Sequence, residues 1–434
     1  MAPLKVLIVG GGVAGPTLAH WLSRVGANIT LIERSPSVRA SGQQIDLRAQ
    51  GIPLMKKMGI ESAVRAKIVH EPGTQLINTR GRVKAFFPAN QSGSGKQSIT
   101  SEYEIMRGDL VKILYNLTEG RPNVQHLFNT TVESLAQDPE SDPDGKVHVS
   151  FNDGRKEDFD LVVGADGTGS RTRKLMLGPD APDPRHFLGG YIGFFSMPSR
   201  PEDSDRFTLC HLPGSQSSRW VGTRKDCPHL TRVYMHTRTD DAALKAAHQS
   251  RDAAQLKKAW SDLFGDGGWQ CERFMEALRN APEADDLYST PFEEVRLPVG
   301  SWSKGRVVLL GDAAHSATAN GIGTTWALVG SYVLAGEIAT LYKKPGSSKT
   351  EAVVQGAKKY EEKFRPIATA SHGGSQFFES LLSPRSQWGI WVLHSIARAV
   401  AYLKFDPGAG LDSKTSQWQY PEYGELLEGE VENH

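Results

Sequence analysis

Three acidic residues each close an apolar run: Glu33 after "ITLI", Asp166 in "DLVVGADG" and Asp312 in "VVLLGDAAH". A carboxylate at the end of a strand buried on both faces adds nothing to a core. It suits a polar ligand lying across the strand ends. Gly10, Gly12 and Gly15 form G-x-G-x-x-G directly after the apolar run Lys5 to Val9. In that spacing the first glycine permits a tight turn and the second lets the backbone approach a pyrophosphate. The third lets a helix pack closely on the strand. Glu33 follows Gly15 by eighteen residues, close to the ~20 at which a carboxylate grips a ribose hydroxyl. The chemistry implied is the binding of a dinucleotide, and the motif alone does not choose between NAD and FAD.

These residues need particular elements to hold them. "LKVLIVGGGVAGPTLAHWLSRVGANITLIERS" reads as strand, turn, helix, strand, with the helix from Val13 to Val25 ended by Gly26. Two further apolar strands, before Asp166 and before Asp312, would join the same parallel sheet. The chain contains no second strand–G-x-G-x-x-G–helix unit, so a second nucleotide would have to bind without its own Rossmann unit. Between about residues 181 and 293, runs such as "DRFTLCHLP", "SRWVGT" and "LTRVYMHTR" alternate with period two, as an antiparallel sheet with one solvated face does. A polar helical segment, Asp252 to Phe264, interrupts them.

The composition excludes several classes. The 434 residues carry 50 Lys+Arg against 49 Asp+Glu, so no strong field favours nucleic acid. Three scattered cysteines without a CxxC pair predict neither a disulfide framework nor a metal site, and fit a reducing, cytoplasmic compartment. The N-terminus enters a strand at once, without the build of a signal peptide. The longest apolar stretch, Trp388 to Leu403, is broken by His394 and Arg398 and is too short to span a bilayer; it reads as a core or surface helix, with a peripheral membrane contact as the alternative.

G-x-G-x-x-G near the N-terminus, D-G at Asp166 and G-D at Asp312 together resemble the single-nucleotide-domain (group A) FAD-dependent monooxygenases. This is the family of para-hydroxybenzoate hydroxylase and the tetracycline-inactivating monooxygenases, and the resemblance spans about residues 4 to 370. It implies FAD as cofactor and NADPH or NADH as co-substrate. One oxygen atom of O2 would enter a small organic molecule through a flavin C4a-hydroperoxide. It also assigns residues. Gly10, Gly12, Val13, Ala14 and Gly15 would cradle the pyrophosphate, Glu33 would hold the adenosine ribose and Arg34 would flank the adenine. Arg107 would contact the flavin, Asp46 and Arg48 would lie in the segment passing over its ring, and Asp166 and Asp312 would serve the cofactor from the two later motifs. Gly323, Thr324 and Thr325 would begin a helix aimed at the ring. His315 receives no catalytic role.

The resemblance implies an α/β fold with a Rossmann-like FAD-binding domain (1–72, 101–180 and 294–375). A discontinuous antiparallel-sheet substrate domain (73–100 and 181–293) and a C-terminal helical region with an acidic tail (376–434) complete it. Two departures stand out. The stretch "GGYIGFFSMP" offers Tyr191, Phe194 and Phe195 where relatives often present an arginine to the substrate. With Trp220 and Tyr234 these residues would line an aromatic pocket for a bulky, largely neutral molecule, although aromatic residues in alternating strands are core by default. Ala319 stands where relatives usually carry proline, in a loop one residue shorter. The expected activity is therefore an NAD(P)H-consuming monooxygenase on an aromatic, polyketide, terpenoid or alkaloid metabolite. An FAD-dependent dehydrogenase, reductase or cyclase on the same fold is the alternative, and a non-catalytic FAD-binding partner protein a further one.

Overall fold

The computed structural model describes residues 2–38, 43–69, 71–89, 102–214, 217–250, 252–317, 321–370, 382–403 and 418–427. Ala319 and its shortened loop lie outside them. A six-stranded sheet organises the first core. Its order runs Ser303–Lys304, Val307–Leu309, Leu161–Gly164, Lys5–Val9, Asn28–Ile32, Val124–Leu127. All pairs are parallel except the Ser303–Lys304 edge. Its inner strands Lys5–Val9, Leu161–Gly164 and Val307–Leu309 are continuous apolar runs because the sheet is buried on both faces, in a core that also takes in Phe151 and Phe159 of a three-stranded sheet (Val132–Gln137, Val147–Phe151, Lys156–Phe159). The 11-residue helix Ala14–Arg24 and the 20-residue helix Gly323–Tyr342 pack against each other. There Ser331 Oγ donates to the Ala14 carbonyl at 3.0 Å. The carboxyl ends of Lys5–Val9, Asn28–Ile32, Leu161–Gly164 and Val307–Leu309 all meet the three acidic motifs, as open α/β sheets require of a ligand site.

A seven-stranded sheet carries the second core: Tyr288–Val295, Arg185–Pro198, Leu230–Arg238, Ser218–Cys227, Phe207–Leu212, Gly73–Ile77, Val83–Pro88. One face packs on three helices, Ala242–Ser250, Ala253–Phe264 and Cys271–Asn280. The sequence predicts only the middle one, which Asp252 caps through its side chain. Phe195, Met197, Val221, Val233 and Met235 fill that face. Strand alternation turns their neighbours Phe194, Trp220, Tyr234 and Arg224 to the opposite face. A two-stranded ribbon, Gln44–Asp46 with Glu104–Met106, lies between that face and the start of the Gly323–Tyr342 helix.

Candidate functional site

The glycine turn is built for close approach. Gly10 has φ +117° and donates its N–H to the Ile32 carbonyl at 2.9 Å. A Cβ on Gly10 would lie 2.4 Å from the Ala165 oxygen, and one on Gly15 would lie 2.0 Å from the Gly10 oxygen. These two glycines join strand, helix and D-G loop. Gly12 differs, because a Cβ there would meet only the Arg107 guanidinium, at 3.5 Å. The space above Gly12 belongs to a cavity of 980 Å³ lined from both sheets. Val13 begins the first helix with neither a side-chain cap nor an acid in the first turn. Its N–H groups and positive dipole end are unpaired by side chains and follow directly on the cavity-lining Gly12, a donor set that suits a pyrophosphate. Glu33 also borders the cavity, where its carboxylate accepts from Gly11 N at 2.8 Å and Ser35 N at 2.9 Å. Two backbone bonds fix its orientation and leave lone pairs for a ribose hydroxyl. Arg34 is exposed at the cavity mouth.

The later motifs close the far side. Asp166 is occupied by its own helix start: Oδ2 accepts from Thr172 N (3.0 Å) and Thr172 Oγ1 (3.1 Å), and Oδ1 from Ser170. It positions the D-G loop. The buried Arg173 ties that loop to the G-D segment by donating to Thr168 O (2.6 Å) and Ala313 O (2.8 Å). Asp312 sits on the cavity floor, open toward the cavity and enclosed by protein elsewhere. Burial raises its pKa, and the charge of Arg107 opposes the rise. Its Oδ1 lies 3.8 Å from where a Gly323 Cβ would be, so the Gly323–Tyr342 helix starts beside it. That helix also lacks a side-chain cap and a first-turn acid. Two open helix N-termini therefore flank the cavity, with Arg107 beside both Gly12 and Asp312. Gly12, Glu33, Asp312 and the two helix starts fit FAD.

Thr325 serves differently from the sequence expectation. Its buried hydroxyl donates to the Arg48 carbonyl (2.9 Å) and accepts from Arg48 N (3.1 Å), fastening the Asp46–Arg48 segment to the helix start. The Arg48 guanidinium turns back onto Asp46, with Nε 3.0 Å from Oδ2. Beyond them Arg224, from the seven-stranded sheet, binds Glu104 through Nη1 and Glu71 through Nη2 (3.2 Å) and Nε (2.5 Å). All three side chains are buried. This cluster escaped sequence reading because positions 71, 104 and 224 are far apart in the chain. The period-two spacing of Trp220, Gly222 and Arg224 was the available signal that an arginine shares the Trp220 face.

The aromatic expectations divide. Phe194 stacks on Tyr288 (4.9 Å) and approaches Tyr234 (5.9 Å), which meets Phe207 edge-on (5.8 Å). Trp220 stacks on His236 at 5.1 Å. Phe195 is a correction: one residue along a strand reverses the face, so its side chain lies fully buried under the helices. Tyr191 shares that helix-side face, stacks on His248 at 5.0 Å and borders the cavity at the sheet edge. His211 and His236 are packed, and burial depresses their pKa values to about 4 and about 3, keeping both neutral. His315 is buried against Trp302 and Phe364.

Comparison with known proteins adds an independent line. A family model described as FAD binding domain matches residues 3–272. The flavin-dependent monooxygenase eupH of a Phoma species is 42% identical over 430 residues, 98% of either chain. The FAD-dependent monooxygenase asL4 of Sarocladium schorii is 36% identical, with 98% of this chain and 100% of that one covered. Among solved structures, the tetracycline destructase Tet(55) aligns over 97% of this chain and 99% of its own, with TM-score 0.75 and 26% identity. HpxO of Klebsiella pneumoniae, solved with FAD and uric acid, shares the fold at TM-score 0.70 and 18% identity, with coverage of 95% and 97%.

Proposed function

The chain belongs to the FAD-binding-domain family and is an FAD-dependent monooxygenase, and on that premise we propose that it draws electrons from NADPH or NADH and oxygenates a small, electron-rich, largely uncharged metabolite of aromatic, polyketide, terpenoid or alkaloid type. When bound, FAD supplies the hydride acceptance and oxygen activation that no side chain here offers. The chain's residues bind, orient and exclude water. Gly12, Val13, Ala14 and the first-helix amides hold the pyrophosphate, Glu33 and Arg34 the adenosine, and Arg107, Asp312, Gly323 and Thr324 the flavin end. Asp46 and Arg48 form the wall over that end, fastened by Thr325. Asp166 and Arg173 set the loop against which these groups are placed. The two sheets divide the work, cofactor on 1–72, 101–180 and 294–375, substrate on 73–100 and 181–293.

The substrate reading rests on one observation. The sheet face next to the Asp46–Arg48 wall is aromatic (Phe194, Tyr234, Phe207, with Trp220 partly open), and the arginine that meets that wall, Arg224, is already bound by Glu71 and Glu104. A cation already neutralised offers little to an anionic substrate, whereas aromatic faces favour a flat apolar one. The test is a screen of neutral aromatic and polyketide phenols against carboxylated analogues, scored by anaerobic flavin reduction with NADPH or NADH and by O2 uptake. Faster reduction with neutral ligands, and equimolar O2, nicotinamide and product, is expected. A preference for the carboxylates would overturn the substrate reading, and reduction by neither nicotinamide would overturn the donor.

A further inference from the structure

One surface takes no part in any of this. The helix Gln387–Tyr402 is capped by Ser386, whose Oγ accepts from Gly389 N at 3.0 Å. Its approach is anchored by Gly214 N donating to Arg385 O (3.0 Å) and by a hydrogen bond between His211 Nε2 and Leu382 O (3.1 Å). The inner side, Ile390 and His394, is buried, with His394 5.6 Å from His211 on the same sheet face as Trp220. These contacts fix which side faces out. The outer side carries Trp388, Trp391 and Tyr402, which are 73%, 63% and 86% exposed, with Ile396 and Leu403 beside them. Tryptophan and tyrosine in this number on one exposed stripe leave apolar area in water at a free-energy cost unless a partner covers them.

Charge identifies the partner. The helix contains no Asp or Glu, and its one full cation, Arg398, is exposed on that side. The helix packs on the edge strand Val83–Pro88. The turn leading into that strand presents exposed Arg80 and Arg82 beside exposed Val83, and Arg385 is exposed at the helix entry. None of these four arginines has an ion pair among the described residues. These four arginines repel those of a second copy. Aromatic rings that seat at a headgroup boundary, ringed by cations, match an anionic lipid surface. We propose that this face, the Gln387–Tyr402 helix with the Arg80–Arg82 turn, docks the enzyme peripherally on anionic membranes. Docking would bring the substrate-side sheet next to the phase in which apolar substrates dissolve.

The full-length, FAD-loaded enzyme is tested by co-sedimentation with phosphatidylcholine vesicles, with and without phosphatidylserine. Binding is expected only with phosphatidylserine and should weaken with salt. Arg80→Gln/Arg82→Gln should reduce it by about five-fold or more per charge, and Trp388→Ser/Trp391→Ser comparably, with FAD content and thermal midpoint unchanged. A wild-type enzyme that stays in the supernatant at low salt, or variants that bind as well as wild type, overturns the proposal. A dimer in sedimentation velocity that the tryptophan variant dissolves overturns it in favour of a copy-to-copy interface.

Discussion

Glu104 stands in a cluster whose charges do not balance. Glu71, Glu104 and Asp46 bring three carboxylates to one buried place, and Arg224 and Arg48 bring two guanidiniums. A buried surplus of negative charge is relieved most cheaply by a proton. Burial pushes Glu104 up to about 8, with Arg224 opposing and Asp46 and Glu71 reinforcing, and burial raises Glu71 as well. The folded pKa thus lies above the unfolded value of 4.5, so the folded chain binds the extra proton. Its stabilising contribution is full below about pH 4.5 and is lost as pH rises toward 8, with a slope of at most about 1.4 kcal/mol per pH unit for one proton. His20, His211 and His236, held neutral with values of about 3 to 4, act with the opposite sign and cost stability below their ordinary 6.5. The histidine trend is present in both wild type and Glu104→Gln, so their difference isolates Glu104. Urea denaturation from pH 5 to 8.5 should show the variant's midpoint falling less steeply than wild type. Parallel curves would show that Glu104 titrates as an ordinary carboxylate.

At the scale of elements, the Gly323–Tyr342 helix points an uncapped, acid-free N-terminus at Asp312 and the cavity. Its positive end favours added electron density on a ring held there. Thr324→Asp places a carboxylate in that first turn, where it should strengthen the helix and make the bound flavin harder to reduce. At about 0.5–1 kcal/mol for such a charge, the two-electron potential should fall by about 10–20 mV, read by spectroelectrochemistry. An unchanged or higher potential would mean that the dipole does not act on the ring. This helix and the glycine turn were legible in the sequence because local rules write them: an apolar run, fixed glycine spacing, small residues at a helix start. The roles of Thr325 and Asp166 were not, since a hydroxyl or carboxylate next to a cofactor motif looks the same whether it holds ligand or backbone. Phe195 failed for a related reason. Alternation says that Phe194 and Phe195 part company, but which of them meets the helices depends on pairing with strands forty residues away.

The molecule as a whole has two cores whose sheets meet at a charged clasp. Arg224 issues from the seven-stranded sheet, and Glu104 belongs to the ribbon that the Arg48–Thr325 bonds fasten to the six-stranded core. No sequence pattern announces such a clasp, because its three members are set by how the sheets dock and not by any local period. A clasp of this kind is weak evidence for stability in itself, since desolvating its charged groups offsets most of their attraction. Its effect shows when one member is removed. Arg224→Met leaves two carboxylates buried together and should cost about 3–5 kcal/mol, or force both to take protons. The triple variant Arg224→Met/Glu71→Gln/Glu104→Gln removes the unpaired charge along with the pair and should regain most of that loss. Guanidinium melts followed by tryptophan fluorescence and far-UV dichroism separate two outcomes. Coincident transitions in the single variant would mean that the cores stay coupled through the remaining packing. Transitions that part in the single variant and merge again in the triple one would show that uncompensated charge drives the sheets apart, and would make the clasp the device that sets substrate face against flavin wall.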